Sequence, residues 1–268
     1  RYPLHIVVCT KYTPDSEAKM SVDEAGNVSW GDSPLIINPW DEYSVEEALL
    51  LRDEYGGKVT VISMGPEDAL EALKHAVAMG ADEAIRVWDE ACAGSDTLAT
   101  SYVLAKTIEK IGDADLVMCG KSAIDAETWQ TGVALATRLG VPSLMYTINI
   151  AELDAEAGTI RVERLLEQGR QIVEAKLPVV VGTTKGINEP RYTSFMGIRK
   201  AAKMAYPHWT LEDIGADGEK VGPGGSGVRW PTVFEPAVRE GEAEMIAGET
   251  VEEKAEILAD KLMAKKVI

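Results

Sequence analysis

From residue 4 to about residue 150 the chain repeats one unit: a short apolar run, a polar turn and an amphipathic segment. That alternation is how a parallel sheet with helices on both faces is encoded. The strand candidates are LHIVVC (4 to 9), KVTVISM (58 to 64), AIRVW (84 to 88), DLVMCG (115 to 120) and SLMYTINI (143 to 150). Their continuous Val, Ile and Leu content implies burial on both faces. The expected fold class is α/β, a doubly wound, mainly parallel sheet of Rossmann-like type.

The intervening segments carry helix punctuation. Ser44 followed by Glu47 has the spacing of a capping box, and Gly56 with Gly57 supplies the stop. Pro66 suits a first helical position, and Glu67 and Asp68 favour the positive end of the helix dipole. Ala69, Leu73 and Ala76, with Leu70 and Val77, then make one apolar face. A third helix opens at Ser95 or Asp96 and turns Leu98, Tyr102, Ala105 and Ile108 inward.

Between about 150 and 185 the pattern changes to a hairpin closed near Gly169 and a further strand after Pro178, read as an antiparallel extension of the sheet. GINEPRYTSFMGIRKAAKM mixes turn chemistry with a basic helix, and DIGADGEKVGPGGSGVRW reads as a flexible linker. The final segment is an amphipathic helix with Val251, Ala255, Ile257, Leu258 and Leu262 on one side. The expected division is an α/β domain over 1–206 and a linker with a C-terminal arm over 207–268.

Composition excludes several functions. No stretch approaches the ~18 uncharged apolar residues of a membrane span, and the first residues turn polar too soon for a secretory signal, so the expected location is cytoplasmic. A net charge of 27 − 44 = −17 opposes a phosphate backbone, so no nucleic acid partner is expected. Cys9, Cys92 and Cys119 lack CxxC spacing and read as structural thiols. His5, His75 and His208 are far apart, which leaves a metal site or a Ser/His/Asp triad without support. No catalytic residues are expected.

In a doubly wound sheet, ligands bind outside the carboxyl ends of the strands. That rule selects the loops CTKYTPD, SMGPED, DEACAGSDT and GKSAIDAETWQTG. The last is no P-loop, because Lys121 stands at the wrong end, and no GxGxxG follows the first strand. What remains is a helix start from about Thr128, whose free N–H groups attract an anion, with Gln130 and Thr131 adding side-chain hydrogen bonds. Capping of that helix by Asp125 and Thr128 alone is an equally open reading. Asp125 and Glu127 would repel a phosphate unless they are directed at ribose hydroxyls or backbone. The Asn38 amide, in INPWDEY, has a base or the backbone as alternative partners.

NPWDEYSVEEAL, VISMGPEDALEALKHAVAMGADEAIRV, CGKSAIDAETWQTG and INEPRYTSFMGIRKAAK together resemble, in order and spacing, the beta (small) subunits of electron-transfer flavoproteins, over nearly the whole chain. The resemblance implies a heterodimer with an FAD-carrying alpha subunit. It implies electrons taken from flavin dehydrogenases such as acyl-CoA dehydrogenases and passed to a membrane quinone oxidoreductase or another acceptor. This chain would be an electron carrier that binds an adenine nucleotide structurally.

Carried onto this sequence, the implied nucleotide pocket comprises Cys9, Asn38, Pro39, Trp40, Asp41 and Met64. It continues through Gly120, Lys121, Ser122, Ala123, Ile124, Asp125, Thr128, Gln130 and Thr131. Backbone groups of 120–125 would border the adenosine, and Gln130 and Thr131 would hold phosphate. The implied dehydrogenase-docking loop is 188–200. There Phe195 stands at the position of a protruding aliphatic anchor, with Met196, Arg191 and Arg199 beside it and Lys200 and Lys203 adding charge. Residues near Glu163 and Arg164 would complete the cleft around the alpha subunit's FAD.

The family has members that bind AMP and electron-bifurcating members that bind a second FAD in NADH-dependent complexes. Thr131 resembles the AMP type, whereas GSDTLATSY (94 to 102) resembles the loop that accompanies a second FAD. The balance favours AMP. Trp129 replaces a small residue, with core filling expected and stacking on a ring as the alternative. A free-standing ATP-binding domain is the reading from another class.

Overall fold

The computed structural model describes residues 3–237, 241 and 243–268. The chain forms two compact units, Arg1–Val233 and Phe234–Ile268. It opens with β1 (Leu4–Cys9), then β2 (Tyr12–Pro14), β3 (Ser21–Val22), β4 (Val28–Ser29) and β5 (Leu35–Ile37) form two small antiparallel pairs outside the main sheet. The alternation resumes with α1 (Pro39–Tyr55), β6 (Gly57–Met64), α2 (Leu70–Met79), β7 (Glu83–Val87), α3 (Thr97–Ile111), β8 (Leu116–Gly120) and α4 (Thr131–Leu139). Then come β9 (Ser143–Asp154), β10 (Thr159–Leu166), β11 (Gly169–Lys176), β12 (Val179–Thr183), α5 (Phe195–Lys203), β13 (His208–Trp209) and α6 (Gly222–Gly225). The second unit carries α7 (Val251–Ala264).

The main sheet has the order β11-β10-β9-β12-β8-β1-β6-β7-β13. β1 pairs in parallel with β6 on one side and β8 on the other, so the chain reverses its direction of sheet growth at β1. All six residues of β1 are buried, as a strand covered on both faces requires. On one face α1, α2 and α5 pack through Val45, Leu49, Leu73, Val77 and Ala201. On the other, α3 and α4 pack through Leu104, Ile108 and Leu135. Each such fully buried Leu or Val contributes about 1.5–3 kcal/mol.

Several expectations need correction. α1 begins at Pro39, not at Ser44, because a proline at the first position presets φ and Asp41 and Glu42 favour the first turn. Ser44 lies inside the helix, buried, with its Oγ 2.6 Å from Thr183 Oγ1. Glu47 is likewise buried and accepts from Asn188 Nδ2 at 2.9 Å. Pro66 precedes a single 3-10 turn, Glu67–Ala69, and not the α-helix itself. Leu98 faces outward, whereas Tyr102, Ala105 and Ile108 are buried as expected. Only β10 and β11 extend the sheet from β9 in antiparallel fashion; β12 inserts between β9 and β8, parallel to both. Its unbroken Val179–Val181 run, buried throughout, needs a central position.

The glycine-rich tract is no loose linker. Leu211, Ile214 and Val221 pack with Val87, Tyr102 and Val103 in a third core cluster. Ser95 Oγ accepts the Gly222 N–H at 2.8 Å, and Asp96 Oδ2 accepts those of Gly227 (2.7 Å) and Val228 (3.0 Å). Residues 207–233 therefore belong to the first unit. In the second unit, Thr250 caps α7 by accepting from Glu253 N, and no residue of α7 is buried.

Candidate functional site

The reversal point at β1 places the turns after β1 and β8 side by side, and α1 begins directly above them. Asp41, in the first turn of α1 and only 5% exposed, ties these turns together. Its Oδ1 accepts the Gly120 N–H at 2.9 Å and its Oδ2 the Lys11 N–H at 2.8 Å. Burial pushes its carboxyl up to about 7, against the opposing pull of these two N–H donors. Asn38 Nδ2 donates to Ser122 O at 2.8 Å, and its Oδ1 accepts from Ile124 N at 3.2 Å. The backbone alternative for Asn38 is thus realised: the side chains of Asn38 and Asp41 hold loop backbone. Gly120 has no substitute here, since a Cβ would lie 2.6 Å from Trp40 Cβ and 2.7 Å from Asp41 Oδ1.

The loop 121–130 then crosses to α4. Asp125 is neutralised by Lys11 at 2.6 Å, so the expected repulsion of an anion by its carboxylate is largely cancelled. Helix α4 starts at Thr131, three residues beyond the expected Thr128, which is exposed in the loop. The reason is local: Glu127 and Trp129 have φ of 45° and 62°, outside the helical region. Gln130 is the N-cap but gives no side-chain cap, leaving the first N–H groups of α4 without one. The Gln130 amide oxygen instead accepts from Thr97 Oγ1 at 3.1 Å. Two buried polar atoms in these elements, Trp40 Nε1 and Ser122 Oγ, have no hydrogen-bond partner, and neither does Ser63 Oγ in the neighbouring strand β6.

Cys9 is the last residue of β1 and Cys119 the last but one of β8, both buried. Burial raises both thiols, Cys119 to about 12, which makes them inert packing groups. Met64, at the end of β6, is half-buried, as are Pro39, Trp40, Ala123 and Ile124. Trp129 is 39% exposed rather than core; its ring lies 5.5 Å from Tyr146, whose φ is also positive at 63°. Lys11, Thr97 and Tyr146 were not singled out from the sequence, although Lys11 and Thr97 sit in loops that the carboxyl-end rule selects. Two open clefts elsewhere, about 600 Å³ along α1 and β9 and about 680 Å³ beside Pro3, Asp115 and Pro178, include no residue of this crevice.

The 188–200 segment lies apart from the crevice residues in its contacts. Phe195 is 80% exposed, and Met196, Tyr192 and Arg199 are exposed beside it. Arg191 differs from the expected free rim charge: its guanidinium pairs with Glu46 at 2.8 Å, and its backbone N–H donates to the same carboxylate. Lys200 donates to Ala81 O at 2.9 Å. These bonds tether the segment and leave the apolar tip outward. His75 also gains an unforeseen neighbour, with Nε2 2.7 Å from Glu42. Among the described residues no group of three or more His, Cys, Asp or Glu could hold a metal, and no helix is long and apolar enough to cross a membrane.

A parallel sheet with an open helix start at its reversal point defines a Rossmann-like α/β protein, the class that binds ligands at the carboxyl edge. Residues 31–214 match the family described as "Electron transfer flavoprotein domain". The chain is 39% identical to "Electron transfer flavoprotein subunit beta" of Clostridium acetobutylicum, over 99% of this chain and 100% of that one. It is 40% identical to "Protein FixA" of Azorhizobium caulinodans, over 91% and 88%. It is 39% identical to "Caffeyl-CoA reductase-Etf complex subunit CarD" of Acetobacterium woodii, over 99% and 100%. The chain belongs to the electron-transfer flavoprotein family, as a beta (small) subunit, and its function is electron transfer.

Proposed function

We propose that this chain is the nucleotide-holding half of a heterodimer whose alpha subunit carries FAD, and that its crevice binds AMP as a structural ligand. The single observation that carries this reading is the contrast between two helix starts. The start of α3 is filled by its own Asp96 carboxylate, which accepts from Ala99 N at 2.9 Å and from the Gly227 and Val228 N–H groups. The start of α4 has no side-chain cap. Uncapped starts also open α1, whose first residue Pro39 has no N–H, and α2, which continues from a 3-10 turn; the α4 start, following β8 at the reversal point, suits one phosphate group, as in a mononucleotide.

The residues fit such a ligand. Trp40 Nε1 and Ser122 Oγ are buried atoms without partners, and Gly120 lets Trp40 and Asp41 of α1 close on the loop where a Cβ would clash with both. The Asn38 and Asp41 side chains shape the loop, so its backbone and the α4 start make the direct contacts. FAD on the alpha subunit supplies the redox chemistry when bound. This chain orients that subunit and docks donors through the Phe195 tip, with flavin dehydrogenases such as acyl-CoA dehydrogenases as donors and a membrane quinone oxidoreductase as acceptor. Glu163, held by Arg170 at 3.1 Å, and Arg164, whose Nε donates to Met145 O at 2.7 Å, present a fixed hairpin edge toward the alpha subunit.

A second reading, a second FAD in the same crevice, is favoured by the Thr97–Gln130 contact, which brings the 94–102 loop against the α4 start. Heat release of nucleotide from the purified heterodimer, followed by chromatography, separates the two. One FAD and one AMP per heterodimer supports the first, and two FADs the second.

A further inference from the structure

Lys121 is the first residue after β8, and its backbone is fixed by donation to Thr183 O at 2.9 Å. Its ammonium lies 4.0 Å from the Trp40 ring centroid and 4.5 Å from that of Trp129. Two indole faces at these distances hold a cation well. Among the described residues no carboxylate pairs with it, whereas Lys11, the other lysine of the crevice, is paired with Asp125. The holding geometry is built at a cost: Trp129 and its ring neighbour Tyr146 both have φ in the left-handed region, unfavourable for aromatic residues.

Trp129 immediately precedes Gln130, the N-cap of α4. One wall of the cage therefore comes from the loop that leads directly into the uncapped start of α4. An ammonium without a counter-charge and an uncapped helix start, both belonging to the stretch between β8 and α4, are two independent sources of attraction for an anion.

We propose that the side chain of Lys121, caged by Trp40 and Trp129, is the specificity-determining charge of the crevice and selects a phosphate-bearing adenine nucleotide over the uncharged nucleoside. Trp129 is a positioning residue in this arrangement, setting where the ammonium stands. The inference rests on the nucleotide reading of the crevice, and it assigns the charge preference to one side chain in addition to the helix start.

The test uses heterodimer stripped of nucleotide, titrated calorimetrically with AMP and separately with adenosine. Wild type binds AMP more tightly, and Lys121→Met lowers AMP affinity by about tenfold or more while leaving adenosine affinity unchanged, as loss of a charged hydrogen-bond donor predicts. Trp129→Leu weakens AMP by a smaller factor, again sparing adenosine. Unchanged AMP affinity in Lys121→Met overturns the proposal, and so does wild type that binds both ligands equally. Wild type that binds neither ligand refutes the nucleotide reading itself. If Lys121→Met binds neither, Lys121→Arg decides: a restored AMP preference sustains the proposal, adenosine binding without that preference contradicts it, and binding of neither assigns Lys121 to loop structure and also contradicts it.

Discussion

The carboxylate of Asp41 reaches from the first turn of α1 to accept the Gly120 N–H at 2.9 Å. Through this bond the start of one helix fixes the end of a strand on the far side of β1, and the crevice takes its shape from it. Burial has raised the Asp41 carboxyl to about 7, above the unfolded value of about 3.9. Between those values the folded protein holds a proton that the unfolded chain has released. Stability from this group is therefore greatest below about pH 4 and declines as pH rises through about 7, by up to about 4 kcal/mol. Urea unfolding of wild type and Asp41→Asn across pH 4.5 to 8 (roughly the span of the two values) checks this. Wild type should lose stability relative to the variant as pH rises, and a constant difference would show that Asp41 titrates elsewhere.

Gly120→Ala should cost about 1–3 kcal/mol, because the added Cβ is forced against Trp40 and the Asp41 carboxylate. The same change should displace the Asp41 bond and reduce retained nucleotide. Thermal unfolding together with nucleotide analysis reads both effects, and wild-type retention at wild-type stability would mean that the loop has room to move.

Phe195→Ala removes a side chain that is 80% exposed, so folding stability should change by less than about 0.5 kcal/mol. Reduction of the heterodimer by a partner dehydrogenase should slow markedly at unchanged flavin content. Loss of flavin would instead place Phe195 in the subunit's own architecture.

Asp96→Ala removes the cap of α3 and two acceptor bonds from the Gly227 and Val228 N–H groups. The expected cost is about 1–2 kcal/mol. Hydrogen exchange should accelerate at residues 222–228 more than in β1. Uniform protection across both would argue that the tract is held by Leu211, Ile214 and Val221 alone.

How far the sequence discloses this protein depends on what each residue must satisfy. β1, β6 and β8 were legible because strands buried on both faces need continuous apolar runs. Ser44 and Glu47 misled because a capping-box spacing also occurs inside a helix whose true start is set by Pro39. The glycine-rich tract looked loose because its anchors, Ser95 and Asp96, stand more than a hundred residues away. The site loops followed from the carboxyl-end rule, but the roles of Asn38 and Asp41 did not: an amide or a carboxylate suits ligand and backbone equally, and only distances to Ser122, Ile124, Gly120 and Lys11 separate them. Trp129 was expected in the core because of its size, yet its backbone conformation turns it toward Lys121 and Tyr146.

The most direct measurement is the adenine-nucleotide content of the heterodimer purified after co-expression of both subunits. One AMP in addition to one FAD is the predicted result, with the AMP lost on Gly120→Ala while the FAD stays. A heterodimer that transfers electrons with a single FAD and no second adenine nucleotide would contradict the crevice as a nucleotide site.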